Sequence, residues 1–220
     1  MKRTLLVMTF VFCLCYSVRA SPCASGTLAT YDAASFSCSL GNLTFSDFAY
    51  VPSAFGGAVA PPDSGVAVTP ITSGFGSETG LLFSAVWLVG SGQGEDSLIT
   101  YKVTCPRCAI NDLELRMVGG ASGTGTAGVA ETSIAPPESL NTAVGLGTSI
   151  LSDSTTFPPA GSLDLSKDIG ISGGTSGAAH ISGVYNLFSQ PTSMVPEPSL
   201  LLLCVGLLGL LPVARRKLRV

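Results

Sequence analysis

The sequence predicts an all-β protein: an antiparallel, jelly-roll-like β-sandwich carried between an N-terminal signal peptide and a single C-terminal transmembrane helix. Three observations lead there. Between Ser21 and Pro198, 24 of 178 residues are Gly and 13 are Pro, spread along the chain and not pooled in one linker. The runs between these turn residues are short and rich in β-branched and aromatic side chains, as in sandwiches and barrels. No window holds a 3.6-residue apolar period for three turns, so little helix is expected.

The two ends have a different character. Lys2 and Arg3 precede an apolar stretch over residues 5–16, and Val18-Arg19-Ala20 places small residues where a signal peptidase reads. The pattern is that of a secretory signal peptide cut between Ala20 and Ser21; twelve apolar residues are too few to span a bilayer. At the other end, residues 200–214 are apolar and are followed by Arg215, Arg216, Lys217 and Arg219. Fifteen residues at about 1.5 Å rise give roughly 22 Å, short against a hydrocarbon core of about 30 Å, and flanking arginines snorkel to close such a gap. Basic residues on one side alone hold that end in the cytoplasm. Just before the run, Pro196 and Pro198 bracket Glu197 after Val195, which keeps this strip extended and stops the helix from reaching back. The expected organisation is residues 1–20 signal peptide, 21–190 sandwich, 191–198 linker with the Pro-Glu-Pro element, 199–214 transmembrane helix and 215–220 basic tail.

The order of Val195-Pro196-Glu197-Pro198, short apolar span and basic end resembles the PEP-CTERM sorting signal of Gram-negative bacteria. That resemblance implies an exosortase-type membrane transpeptidase as partner. It also implies anchorage in the inner membrane before processing, and a cell-surface or extracellular location afterwards. A plain C-terminal anchor is the simpler alternative. The body is similar to one broad group of PEP-CTERM proteins over residues 38–48, 96–103, 110–115, 125–131 and 167–169, followed by Phe188. The group supplies no catalytic residue to carry over.

Charge narrows the partners. From Ser21 to Val195 there are four basic residues, Lys102, Arg107, Arg116 and Lys167, against 13 acidic ones, a balance of −9 that the whole-chain value of −3 hides. An acidic body argues against nucleic acid or an anionic polysaccharide as a direct partner, because phosphates require a basic patch. About 175 residues suit one domain with a real core.

In chain order, residues 21–40 read as a short helical turn or irregular segment between Cys23 and Cys38. Residues 43–50 read as a bulged or edge strand, 51–65 as loop, and 66–71 as an edge strand limited by Pro70. Residues 81–89, the most apolar run of the body and the home of Trp87, read as one central strand buried on both faces. Clean alternation marks strands at 97–104 and at 110–118, the latter with Leu113, Leu115 and Met117 on one face, and 126–134 is a further strand. Weaker strands follow at 140–146, 162–166 and 178–188. Eight or nine strands fit two antiparallel sheets.

Four cysteines remain in the body, Cys23, Cys38, Cys105 and Cys108, and in an oxidising compartment they suggest two disulfides with three possible pairings. The local pairing, Cys23 with Cys38 and Cys105 with Cys108, is expected. Cys105-Pro106-Arg107-Cys108 also matches a redox CxxC, but that chemistry needs a following helix whose N-terminus lowers a thiol pKa, and a strand is expected there.

Other motifs fade in context. Residues 123–128 (GTGTAG) match GxGxxG in letters, yet Pro136 and Pro137 forbid the long helix a dinucleotide site requires. His180 is the sole histidine, which excludes a multi-His metal centre. Asp112 and Glu114 share a strand face and suit either acid–base or Ca²⁺ chemistry, or simply a soluble sheet. No cofactor or metal is implied. The sequence expectation is an exported, non-enzymatic structural or adhesive protein of the cell surface or exopolysaccharide matrix. The alternative is a secreted hydrolase or carbohydrate-binding module acting on glycans.

Overall fold

Period-two alternation of buried and exposed side chains runs through the long strands, and two antiparallel sheets close over the buried set. The computed structural model describes residues 20–72 and 78–189. The expected signal peptide up to Arg19, the sorting motif from Val195 to Pro198, the transmembrane helix over 199–214 and the basic tail lie outside the described residues. Among those described, no helix is long and apolar enough to cross a membrane.

The chain begins with β1 (Ser21–Pro22), β2 (Gly26–Thr27), a single helical turn α1 (Leu28–Tyr31) and β3 (Ser37–Leu40). It continues through β4 (Leu43–Phe55), β5 (Ala67–Ile71), β6 (Thr79–Ser84), β7 (Trp87–Val89) and β8 (Gly94–Thr104). The second half holds β9 (Ile110–Ser122), β10 (Thr126–Ile134), β11 (Pro137–Gly145), β12 (Thr148–Ile150), β13 (Ser152–Ala160), β14 (Ser162–Ser172) and β15 (Ala178–Phe188). One sheet has the order β1-β3-β4-β8-β14-β10-β11-β12, the other β13-β9-β15-β6-β5-β2, with β7 added to β15. All ladders are antiparallel except β1 with β3.

Several boundaries differ from the sequence expectation, each for a local reason. Residues 43–50 form the start of a longer strand that lies between β3 and β8 and is not an edge. Asp47, at φ 57°, makes its bulge, and the register shifts between Ser46 and Ala49. Residues 51–55 extend this strand although their side chains are exposed, because the ladder with β8 continues to Gly94. The expected central strand at 81–89 is two strands, broken at Ala85-Val86; Val86 and Leu88 are exposed, while Trp87 and Val89 are buried. Strands β12 and β13 are additional. Pro158 and Pro159 sit in β13, an edge strand where missing N–H donors cost little.

The core includes Phe45, Phe83, Ile99, Tyr101, Leu115, Leu163, Val184 and Phe188, all at most 2% exposed. Cys23 and Cys38 are disulfide-bonded and tie the N-terminal segment to β3. Cys105 is paired with Cys108 across the turn between β8 and β9.

Candidate functional site

Two places in the sandwich concentrate polar groups: the middle of the core and the outward face of the larger sheet.

In the core, the inward-facing rows of three strands carry a polar residue at the same level. On β10 the inward residues run Ala127, Val129, Glu131 and Ser133; on β14, Leu163, Leu165, Lys167, Ile169 and Ile171. Glu131 and Lys167 are directly opposed in the ladder and both are fully buried. Lys167 Nζ donates to Glu131 Oε2 in an ion pair. The other carboxylate oxygen, Oε1, accepts from Asn186 Nδ2 at 2.6 Å, and Asn186 projects from β15 in the opposite sheet. Tyr101 on β8 donates its hydroxyl to Asn186 Oδ1 at 2.8 Å. The chain Lys167–Glu131–Asn186–Tyr101 therefore joins the two sheets through their centre.

Aromatic rings keep water from this network. Tyr101 stacks on Phe48 at 5.1 Å and packs against Phe83 at 5.7 Å and Phe45 at 6.4 Å, and Phe188 lies 6.0 Å from Phe45. Burial lowers the pKa of Lys167, against the opposing pull of Glu131, and pushes Tyr101 well above the ordinary phenol value. Tyr101 is thus a firm donor, and Lys167 an amine whose charge is held by one carboxylate only. Gly80 on β6 lets the strand behind Asn186 come close: a Cβ there would lie inside van der Waals contact of the Asn186 backbone carbonyl oxygen.

On the outward face of the larger sheet, Gly128 and Gly170 are paired across β10 and β14 and leave an open groove. One part, of about 430 Å³, is lined by Phe55, Asp96, Thr126, Gly128, Gly170 and Ser172 among others. It is continuous with a second part of about 310 Å³ that adds Asn141 and Asp168. Phe55 is 63% exposed, and its ring lies over Gly94, where any side chain would collide with it. Asp96 has a raised pKa, chiefly from burial and then from hydrogen bonding and repulsion with Asp168.

The residues singled out from sequence fall elsewhere. Glu114 lies near Glu78 on the other sheet's outward face; Glu78 is pushed up to about 7, first by burial and then by its hydrogen bond and charge interaction with Glu114. Asp112 accepts the backbone N–H of Ser189 at 2.6 Å. Among the described residues, no group of three or more His, Cys, Asp or Glu is placed to hold a metal. His180 is an exposed position on β15, opposite Gly120. Trp87 is buried and donates Nε1–H to Ser97 Oγ at 3.1 Å. Residues 123–125 form the turn from β9 into β10 and residues 126–128 are the start of β10, while Cys108 is followed by strand β9 with no helix.

Fold and site together define a disulfide-bearing β-sandwich with a buried polar core. No protein-family model matches the sequence, and no curated protein does. Solved structures that resemble it distantly include the following three. The enzymatically active domain of tailspike protein 4 from bacteriophage CBA120 is 16% identical, at TM-score 0.28, over 63% of this chain and 19% of that one. TmCBM61, solved with β-1,4-galactotriose, is 9% identical at TM-score 0.31, over 64% of this chain and 88% of its own. The family 11 carbohydrate-binding module from Clostridium thermocellum, solved with a mixed-linked tetrasaccharide, is 11% identical at TM-score 0.22, over 75% and 96%. Likeness at this level carries no argument about what the chain does.

Proposed function

We propose that this chain is an exported, non-enzymatic β-sandwich that serves a structural or adhesive role at the cell surface or in an exopolysaccharide matrix. A signal peptide cut between Ala20 and Ser21 delivers it. A PEP-CTERM tail built from Val195, Pro196, Glu197, Pro198 and the basic cluster Arg215, Arg216, Lys217 and Arg219 holds it in the inner membrane until an exosortase-type transpeptidase acts. The observation that carries this reading is the Cys23–Cys38 bridge, because such bonds persist in oxidising compartments outside the cytoplasm. Consecutive strands pass between sheets from β8 to β9, β9 to β10, β13 to β14 and β14 to β15, which supports the jelly-roll-like description.

The test is made in the native host. Fractionation and gel mobility should show a precursor in the inner membrane and a shorter form at the surface or outside, the shortening depending on the sorting transpeptidase. If deleting that enzyme leaves size and location unchanged, the tail is only an anchor. Genomic proximity to polysaccharide-export genes would favour the matrix role.

The outward groove favours a second reading, contact with a neutral glycan. Glycines 128 and 170 let a flat ring approach the backbone, Phe55 offers one stacking surface, and Asp96 and Asp168 accept hydroxyl hydrogen bonds. Titration with uncharged oligosaccharides, compared between the native chain and Phe55→Ala, tests it; equal absence of binding removes it.

A further inference from the structure

We propose that Lys167 and Asn186 join autocatalytically in an intramolecular isopeptide bond, Lys167 Nζ to Asn186 Cγ, with Glu131 relaying the protons and Tyr101 holding the carboxamide oxygen. The four side chains form one hydrogen-bonded unit in the middle of the sandwich, and each has the chemistry its part requires. Lys167 is the nucleophile and Asn186 the electrophile. The nucleophilic nitrogen and the nitrogen that must leave sit on the two oxygens of the same carboxylate. That is the arrangement a proton relay needs, since one group must take a proton from the first and give one to the second. The Tyr101 hydroxyl donates to Asn186 Oδ1, the atom that becomes negative when the amine adds, so an oxyanion donor is already in place.

The bonds and protons balance without any co-reactant. The Lys167 ammonium gives a proton to Glu131, leaving a neutral amine beside a carboxylic acid. The amine lone pair forms a bond to Asn186 Cγ, and the C=O electron pair moves onto Oδ1 under the Tyr101 hydroxyl. Glu131 delivers its proton to Nδ2 and takes one from the attacking nitrogen. The Cγ–Nδ2 bond then breaks as the carbonyl re-forms, and ammonia leaves. The products are a secondary amide and one ammonia; nothing is oxidised or reduced.

Burial favours each step. Lys167, Glu131 and Asn186 are all wholly excluded from solvent. The amine therefore has no water to hold its charge, and water does not compete for the carbonyl. Holding the reactants in one site replaces a bimolecular encounter with a unimolecular one, which accounts for how an ordinary amide reacts here. The bond would tie β14 in one sheet to β15 in the other, a covalent strut through the core. This inference stands independently of the export reading.

Peptide mapping of the full chain purified from its native host tests it. An Asp-specific protease cuts before Asp164 and Asp168 and frees residues 164–167. In the linked protein this tetrapeptide remains attached to the peptide carrying Asn186, and the pair is lighter than the two separate peptides by one ammonia. Recovery of free 164–167 in full yield from folded protein, with the Cys23–Cys38 bridge intact, overturns the proposal. Lys167→Arg keeps the buried cation but forms no such amide, and should give entirely linear peptides. Tyr101→Phe keeps the nucleophile and electrophile and should slow linkage in a pulse-chase by about 10²- to 10³-fold, the effect of losing one oxyanion donor. Glu131→Gln that still links at the native rate would overturn the relay.

Discussion

Glu131 stands opposite Lys167 across the β10–β14 ladder, and neither side chain reaches water. Two charges placed there are expensive to desolvate, and their mutual attraction offsets that penalty only while both are present. In this core the remaining carboxylate oxygen is also occupied, by the Asn186 amide from the facing sheet. The pair therefore fixes how the two sheets sit on each other as well as how two neighbouring strands pair.

Removing one partner should hurt more than removing both. Lys167→Met leaves Glu131 buried without its cation and is expected to lose about 3–5 kcal/mol of stability. Adding Glu131→Gln removes the orphaned charge, keeps an oxygen for Asn186 Nδ2, and should recover most of that loss. Neither variant can form the amide with Asn186, so the comparison isolates charge. Urea midpoints at unchanged m-value provide the measurement; a double variant no more stable than the single one would refute the account.

The bridge between Cys23 and Cys38 closes a separation of 15 residues around α1. By loop entropy it should contribute about 3 kcal/mol. Replacing both cysteines with alanine is expected to lower the melting temperature by the corresponding amount. Reductant should then shift the native protein towards the variant.

How far the sequence revealed this arrangement depended on what each residue's neighbours are. β10 and β15 were legible to the residue as runs bounded by turn residues, although the alternation of β15 breaks where its register shifts between Ile181 and Gly183. The split between β6 and β7 was hidden: a nine-residue apolar run looks like one buried strand unless the exposure of Val86 and Leu88 is known. β13 was hidden by its two prolines, which an edge tolerates. The buried network did leave a trace. Glu131, Lys167 and Asn186 each occupy an apolar phase of an alternating strand, where an outward charge would be out of register. What the sequence could not supply was that these phases meet, since β10, β14 and β15 are brought to one level only by the packing of the sheets.

Gly80 illustrates that packing. Its backbone approaches β15 so closely that a methyl group would overlap the Asn186 carbonyl oxygen. Gly80→Ala is expected to cost about 1–3 kcal/mol through strand displacement. It should also shift the Asn186 carboxamide off Glu131 and Tyr101. Peptide mapping of the folded variant should accordingly give less of the linked form than the native chain, while Gly161→Ala, with open space around its Cα, should change neither property.

Glu95 sets the pH response. It is 3% exposed, its two oxygens lack a well-formed hydrogen bond among the described residues, and it lies near the Leu88 amide and Tyr50. Burial pushes its carboxyl up from 4.5 to about 7, with the Leu88 amide pulling weakly the other way. Between those two values the folded state binds more proton than the unfolded one, so stability falls as pH rises through that window and levels off above it. The slope from one such group is at most about 1.4 kcal/mol per pH unit. Glu78, also raised to about 7, adds in the same direction but is more exposed and more screened. Melting curves across the window should therefore show a marked decline for the native chain, a flatter one for Glu95→Gln, and only a small change for Glu78→Gln. A native chain that gains stability from pH 4.5 to about 7 would mean that Glu95 is ionised in the fold, with a partner that its surroundings do not provide.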